Sequence, residues 1–159
     1  MKTYTESELK NKAEAYCAAV ERCPSEVSGK LRQWGASDET IECILDALVK
    51  NRYVDTLRYC RAFVRDKYRF NQWGRIKISK ALKIKGLSPR DIEEGLQEID
   101  EKAYLDNLTE MLRQKARSVH AASTYERNAR LTRYALGKGF TLDEALKASQ
   151  NIPNDESAD

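Results

Sequence analysis

The feature that most constrains the fold is a short signature that occurs three times along the chain. Gly35-Ala36-Ser37, Gly86-Leu87-Ser88 and Gly139-Phe140-Thr141 begin 51 and 53 residues apart. Glycine is favoured just after a helix ends because it adopts positive φ without strain, and Ser or Thr is favoured at a helix N-cap. Each copy therefore predicts one helix ending and the next beginning within two residues. The spacing predicts a repeated unit of about fifty residues.

Apolar residues recur six, ten and thirteen positions after the first two glycines, which is the spacing of one helical face. They are Ile41, Leu45 and Leu48, then Ile92, Leu96 and Ile99. We predict nine helices in three groups, at about 5–22, 24–34 and 38–51, then 55–70, 73–85 and 89–102, then 105–119, 124–137 and 142–150.

These groups predict an all-α fold of three tandem three-helix repeats forming an elongated, solenoid-like stack, because a lone unit of about fifty residues is only marginally stable. The predicted repeats are residues 1–52, 53–103 and 104–150. The polar, acidic segment 151–159 is predicted to be a disordered tail.

Several functional classes find no support in the residues. There is no apolar run of the length that spans a bilayer, and the first residues lack the apolar stretch of a secretory signal. With one histidine, no metal-ligand spacing and no glycine-rich phosphate loop, we expect no enzyme, no metal and no cofactor. The cysteines are expected to be reduced, small buried residues of a cytoplasmic protein: Cys17, Cys23, Cys43 and Cys60.

The net charge of +3 conceals a strong segregation along the chain. Residues 52–90 carry +10 and residues 111–138 carry +6, whereas residues 91–110 carry −7. The ends, 1–51 and 139–159, carry −2 and −4. The basic segments coincide with the first two predicted helices of repeats two and three, so a polyanion or an acidic protein is the expected partner.

Basic side chains in these segments follow helical spacing. Arg58, Arg61, Arg65 and Arg69 form one ridge of the fourth helix, where an anionic partner would relieve their repulsion; the alternative is a solvated helix face. Further candidates are Lys77, Lys80 and Lys83 on the fifth helix, beside Ile76 and Ile84, and Arg113, Arg117, Arg127, Arg130 and Arg133 in repeat three. Core packing is expected for the interleaved Tyr68, Phe70 and Trp73, with base stacking as the alternative.

A longer motif resembles a known family. The run from Phe63 to Ile78, Phe-Val-Arg-Asp-Lys-Tyr-Arg-Phe-Asn-Gln-Trp-Gly-Arg-Ile-Lys-Ile, followed by Leu82 and Lys85-Gly86, resembles the central motif of the RecX regulatory proteins, bacterial modulators of the RecA recombinase. The resemblance covers most of the chain and is strongest over 52–108. Arg75 departs from the pattern, since many members have proline there.

The resemblance implies a non-enzymatic regulator that binds along the groove of the RecA–DNA filament and restrains its ATPase and strand exchange, in homologous recombination, DNA repair and the SOS response. The matching positions are Arg65, Lys67, Arg69, Arg75, Lys77, Lys80 and Lys85. Expected partners are the filament and single- or double-stranded DNA, with no membrane, for a monomer. One alternative is a stand-alone, non-specific nucleic-acid-binding helical module. A nuclease using the carboxylates of 91–110 is disfavoured by the lack of ligand spacing.

Overall fold

The structure is a computed structural model and describes residues 3–153. Within this range the chain forms nine α-helices and no strand, which confirms the all-α prediction. The helices are α1 Glu6–Ala19, α2 Pro24–Gln33, α3 Asp38–Lys50, α4 Thr56–Asn71, α5 Arg75–Ile84, α6 Pro89–Leu96, α7 Glu101–Ala116, α8 Thr124–Lys138 and α9 Leu142–Gln150. No helix in the described range has the length and apolar character needed to cross a bilayer.

The threefold signature has the predicted local structure in every copy. The backbone φ angles of Gly35, Gly86 and Gly139 are 92°, 89° and 101°, so all three lie in the left-handed region that favours glycine. The hydroxyl that follows two residues later accepts a hydrogen bond from the first turn of α3, α6 or α9. The glycines therefore end one helix and the hydroxyls begin the next, as predicted.

The boundary between α6 and α7 differs from the prediction. The sequence pattern extended the sixth helix to residue 102 and began the seventh at 105, but α6 ends at Leu96 and α7 begins at Glu101. Asp100 is the N-cap of α7, and its side chain accepts a hydrogen bond from the N–H of Ala103 at 2.9 Å. An aspartate that satisfies an otherwise unpaired first-turn N–H is a strong helix start, and the acidic run around it obscured this position.

The chain divides into two compact units. Unit 1 takes the chain up to Phe63 together with Ala81–Leu96, and unit 2 takes Val64–Lys80 together with the chain from Gln97 onward. The boundaries fall within α4 and α5, so each of these two helices is divided between the units. The division of the sequence into three repeats remains a prediction.

Unit 1 has a core formed by α1, α2, α3 and the segment that follows them: Leu9, Ala13, Cys17, Val27, Leu31, Ile41, Ile44, Leu48 and Val54. Cys23 and Cys60 are also buried, as predicted, and burial raises the pKa of the Cys60 thiol to about 11. The prediction is wrong for Cys43, which is exposed, because the buried face of α3 runs through the neighbouring Ile44.

Unit 2 has a core in which α7 supplies the largest side chains. Its fully buried residues include Ile78 on α5, Tyr104, Leu108 and Leu112 on α7, and Leu131 on α8. The ring centroid of Tyr104 lies 5.0 Å from that of Phe140, in the turn before α9.

The predicted disordered tail differs from the structure at its first residues. Asn151 caps α9, and Ile152 is buried with only 6% of its surface exposed. The guanidinium of Arg127 donates hydrogen bonds to the carbonyl oxygens of Ile152 and Pro153, at 3.1 and 2.8 Å. These contacts hold the chain as far as Pro153 against α8; the rest of the predicted tail, 154–159, lies outside the described residues.

Candidate partner-binding surface

The exposed face of α4 carries a row of arginines one helical turn apart. Arg61, Arg65 and Arg69 are all exposed, while Val64 on the opposite face is fully buried. Arg65 and Arg69 belong to unit 2, and neither forms an ion pair or side-chain hydrogen bond with another residue in the described part of the chain. Like charges at this spacing destabilise a helix by a few tenths of a kcal/mol. An anionic partner would remove that cost.

Arg58, the first member of the predicted ridge, has a different role. Its Nε donates to both carboxylate oxygens of Glu21, at 2.6 and 2.9 Å, and a terminal nitrogen donates to the carbonyl oxygen of Arg52 at 3.1 Å. A charge-assisted hydrogen bond to a carboxylate offsets the guanidinium charge and fixes its orientation. Arg58 therefore ties α4 to the α1–α2 connection within unit 1, and its role in partner binding stays a prediction.

Trp73 holds two of the predicted lysines close together. The Nζ atoms of Lys67 and Lys77 lie 4.9 and 4.7 Å from the centroid of its indole ring. Such contacts stabilise a cation by about 0.5–1 kcal/mol without neutralising it, so both ammonium groups keep their positive charge near one ring. The expectation of core packing for Trp73 therefore needs correction, since the ring is only half-buried between these lysines.

The two remaining aromatic side chains of this region differ in their exposure to solvent. Tyr68 is half-buried, with its ring centroid 5.9 Å from that of Tyr104 and its hydroxyl accepting from Asn107 Nδ2 at 2.7 Å. Phe70 is 81% exposed, so core packing is wrong for this residue. It lies near the end of α4, beyond the last buried position of that helix, and next to Arg69.

The first basic residue of α5 forms ion pairs within unit 2. Arg75 pairs with the carboxylates of Glu101 and Glu144, and its guanidinium carbon lies 4.2 Å from the ring centroid of Tyr104. Burial disfavours its charge, but the hydrogen bond and charge of Glu101 outweigh this and raise the pKa of Arg75 above its ordinary value. This residue joins α5 to α7 and α9, and its role as a partner contact stays a prediction.

Lys85, which directly follows α5, forms its contacts within unit 1. Its Nζ lies 3.3 Å from Glu26 Oε2, and its carbonyl oxygen accepts from the Ser25 hydroxyl at 2.7 Å. By contrast, Lys80 and Lys83 are exposed on α5 and make no ion pair within the described chain. Ile84 beside them is 87% exposed.

The predicted arginines of α7 and α8 also divide into two groups. Arg113 pairs with Glu110, and Arg130 pairs with Glu126 at 3.0 Å and donates to the carbonyl of His120. Arg127 is only 9% exposed and donates to the carbonyls near the chain end described above, and its role in partner binding stays a prediction. Two positions remain exposed without an ion pair among the described residues: Arg117 and Arg133.

Two parts of the chain, in its middle and last thirds, match models of known protein families. Residues 57–96 match the model of the second three-helix domain of RecX, and residues 102–148 match that of the third. The regulatory protein RecX of Prosthecochloris aestuarii is 33% identical over 145 residues, covering 86% of this chain and 92% of that protein. The chain belongs to the RecX family of regulatory proteins.

Other RecX proteins extend this comparison. The regulatory protein RecX of Pseudomonas savastanoi pv. phaseolicola is 34% identical over 120 residues, covering 74% of each protein. A match at 26% identity to RecX of Streptococcus gordonii covers 92% of this chain but only 56% of that longer protein. The crystal structure of RecX from Lactobacillus salivarius has the same fold, with a TM-score of 0.84 at 22% identity over 92% of this chain and 96% of that one.

The residues carried over from the RecX motif therefore fall into two structural groups. Arg75 and Lys85 are bound by carboxylates of the same chain. The others are exposed, or are half-buried against the ring of Trp73, and all lie in the part of α4 and α5 that belongs to unit 2. We call this set the α4–α5 basic group: Arg65, Lys67, Arg69, Lys77 and Lys80.

Proposed function

We propose that this RecX family protein regulates the RecA recombinase by binding the RecA–DNA filament through the α4–α5 basic group, and that binding lowers ATPase activity and strand exchange. It acts on the filament in the cytoplasm as a monomer, without catalysing a reaction itself. The observation that carries the proposal is the exposed pair Arg65 and Arg69, which has no ion pair among the described residues and lies in the segment similar to the second RecX domain.

Electrostatics supports an anionic filament as the partner. Residues 52–90 carry +10 while the whole chain carries +3, so the field near this segment is far more positive than the net charge indicates. DNA phosphates or acidic protein surfaces would be attracted over about a Debye length, roughly 8 Å at physiological salt. Within unit 2, Arg117 and Arg133 are additional candidates for the same contact, and Arg61 and Lys83 are candidates within unit 1.

Charge reversal of the arginine pair tests this proposal. We expect Arg65→Glu combined with Arg69→Glu to abolish the effect on DNA-stimulated RecA ATPase, because both side chains are exposed and would repel an anionic filament. The wild-type protein in excess is expected to lower the ATPase rate. The measurement is the steady-state rate of ATP hydrolysis by RecA on single-stranded DNA across a titration of each variant.

A second charge reversal provides the matched control. Arg32→Glu with Lys50→Glu changes the net charge by the same amount at exposed positions of unit 1 and is expected to regulate RecA like the wild type. Circular dichroism checks that both variants keep their helical content. An unchanged ATPase rate with excess wild-type protein would overturn the proposal, and so would equal loss of regulation in both double variants.

One observation favours the alternative of a stand-alone nucleic-acid-binding module. Phe70 is exposed beside Arg69, and an exposed aromatic ring next to a basic row suits stacking on an unpaired base. This alternative predicts equal affinity for naked and RecA-coated single-stranded DNA, with a steep loss of affinity as salt is raised. The filament proposal predicts tighter binding to RecA-coated DNA, measured by anisotropy with labelled oligonucleotide.

A further inference from the structure

A cavity in unit 2 lies beside the α4–α5 basic group and shares only Arg69 with it. It has a volume of about 270 Å³ and lies between the end of α4 and α7. Its apolar lining is Leu108, Met111 and Phe140, each no more than 5% exposed. Ligand pockets for whole small molecules usually measure about 300–1,000 Å³. This volume instead suits one large side chain of a partner.

The wall of the cavity on the α4 side is held in place before any ligand binds. Tyr68 lies there, and its hydroxyl accepts a hydrogen bond from Asn107 Nδ2 at 2.7 Å. Its ring is tilted against that of Tyr104, which is in turn tilted against Phe140 at 5.0 Å. Because these side chains are already fixed, a ligand would lose little free energy in ordering the cavity.

The charges around the cavity are unequal. On the α7 side, Glu110 pairs with Arg113 and accepts a hydrogen bond from Gln114 at 3.5 Å, so its negative charge is compensated. On the α4 side, Arg69 has no ion pair among the described residues. The uncompensated charge at this cavity is therefore positive, and a carboxylate is the complementary group for a planar guanidinium.

We infer that this cavity receives one aromatic or large aliphatic side chain of a partner protein, and that a carboxylate next to that side chain pairs with Arg69. The inference rests on the proposed function only in taking a protein as the partner. A buried anchor beside an arginine is the arrangement that dominates many protein interfaces. A nucleotide fits less well, because about 270 Å³ lies below the usual volume of a pocket that takes a whole small molecule.

Short labelled peptides test the inference directly. The probe is fluorescein-Gly-Ser-Glu-Phe-Glu-Ser-Gly, compared with the same peptide carrying Ala for Phe and with one carrying Lys for both Glu, using fluorescence anisotropy. We expect the Ala peptide to bind at least about tenfold more weakly, as for loss of an interface anchor. We expect Arg69→Ala to weaken binding of the Glu peptide and to remove its advantage over the Lys peptide.

A substitution that fills the cavity distinguishes this site from general surface binding. Gln114 is exposed and lines the cavity, so Gln114→Trp should block the cavity without disturbing the core. It is expected to reduce binding of the Phe peptide by at least about tenfold. Gln33→Trp, at an exposed position of α2 in unit 1, is the matched control and should bind like the wild type.

Equal binding of the Phe and Ala peptides would overturn the inference, and so would no binding of either at about 1 mM. Unchanged peptide binding by Gln114→Trp would also overturn it. A third contrary result is a twelve-residue oligothymidine that binds the wild type but not Gln114→Trp, because the occupant would then be nucleic acid. The peptide assay contains neither RecA nor DNA. Peptide binding without any effect on RecA ATPase would therefore overturn the proposed function alone, whereas full regulation with no peptide binding would overturn this inference alone.

Discussion

Arg127 shows why residue type and helical spacing do not by themselves define a binding surface. It lies on the same helix as Arg130 and Arg133, and the sequence pattern made all three candidate partner-binding residues. In the structure its guanidinium is buried and donates to two main-chain carbonyls near the chain end and to Asn128 Oδ1. Which arginine of such a row is buried depends on where residues 25 positions later fold back, and periodicity carries no information about that.

This difference leads to a stability prediction. Arg127→Ala should lower the free energy of unfolding by about 2 kcal/mol, because it removes charged hydrogen bonds and leaves the carbonyl of the buried Ile152 without this donor. Arg133→Ala removes the same side chain from an exposed position of the same helix and should change stability by less than about 0.5 kcal/mol. Urea unfolding followed by circular dichroism measures both. Equal destabilisation by the two substitutions would contradict the structural role of Arg127.

A second residue-scale prediction concerns alkaline pH. Burial raises the pKa of Tyr104 to about 12 from its ordinary value of 10.0, although the N–H of Arg75 donates to its oxygen and opposes the shift. Because the folded state keeps this proton longer than the unfolded state, the stabilisation is complete below pH 10 and is lost as pH rises towards 12. Tyr104→Phe should therefore have a shallower decline in unfolding free energy over this interval, by on the order of 2 kcal/mol in total. The unfolding free energy of each protein is measured by urea titration at each pH, and an equal decline with pH in the two proteins would contradict this.

At the scale of elements, the start of α5 meets the end of α8 through two glycines. The N–H of Gly74 donates to the carbonyl of Lys138 at 2.7 Å, and the N–H of Ile76 donates to that of Gly139 at 3.0 Å. The first turn of one helix thus satisfies carbonyls left open at the last turn of another. A Cβ on Gly74 would lie 2.4 Å from the Gly139 oxygen, so only glycine allows this approach.

Gly74→Ala is therefore expected to destabilise the protein by about 2 kcal/mol or more, since main chain rather than a flexible side chain must move. Gly29→Ala in α2 is the control, because a Cβ there has no neighbour within 4 Å. Alanine favours a helix interior over glycine by about 1 kcal/mol, so the control should be neutral or stabilising. Thermal unfolding of both variants gives the comparison, and a Gly74→Ala protein as stable as the wild type would contradict it.

How far the sequence predicts this fold depends on the range of the interaction that decides each feature. Helix ends governed by Gly35, Gly86 and Gly139 were predicted correctly, because glycine and its following hydroxyl act within a few residues. The contact of Gly74 with Gly139 joins segments far apart in the chain, and no local pattern encodes it. The same holds for the cavity, whose lining comes from α4, α7 and the turn before α9.

At the scale of the whole molecule, position rather than amount of charge should govern regulation. Moving a basic pair from α4 to α3 tests this at constant net charge: Arg65→Glu and Arg69→Glu are combined with Glu42→Lys and Asp46→Lys. Glu42 and Asp46 are exposed and four residues apart, like the arginine pair they replace. The fourfold variant keeps the net charge of +3. We expect it to regulate RecA no better than the double arginine variant, in the same ATPase titration.

Exposed charges separated by more than a Debye length, roughly 8 Å at physiological salt, are screened from one another. A partner that contacts Arg65 and Arg69 needs positive charge at those positions, so the pair on α3 restores regulation only if the partner responds to total charge. Glu42→Lys with Asp46→Lys alone serves as the control and should regulate like the wild type. Recovery of regulation in the fourfold variant would show that a diffuse attraction is sufficient, and the proposal of a defined contact at Arg65 and Arg69 would then have to be given up.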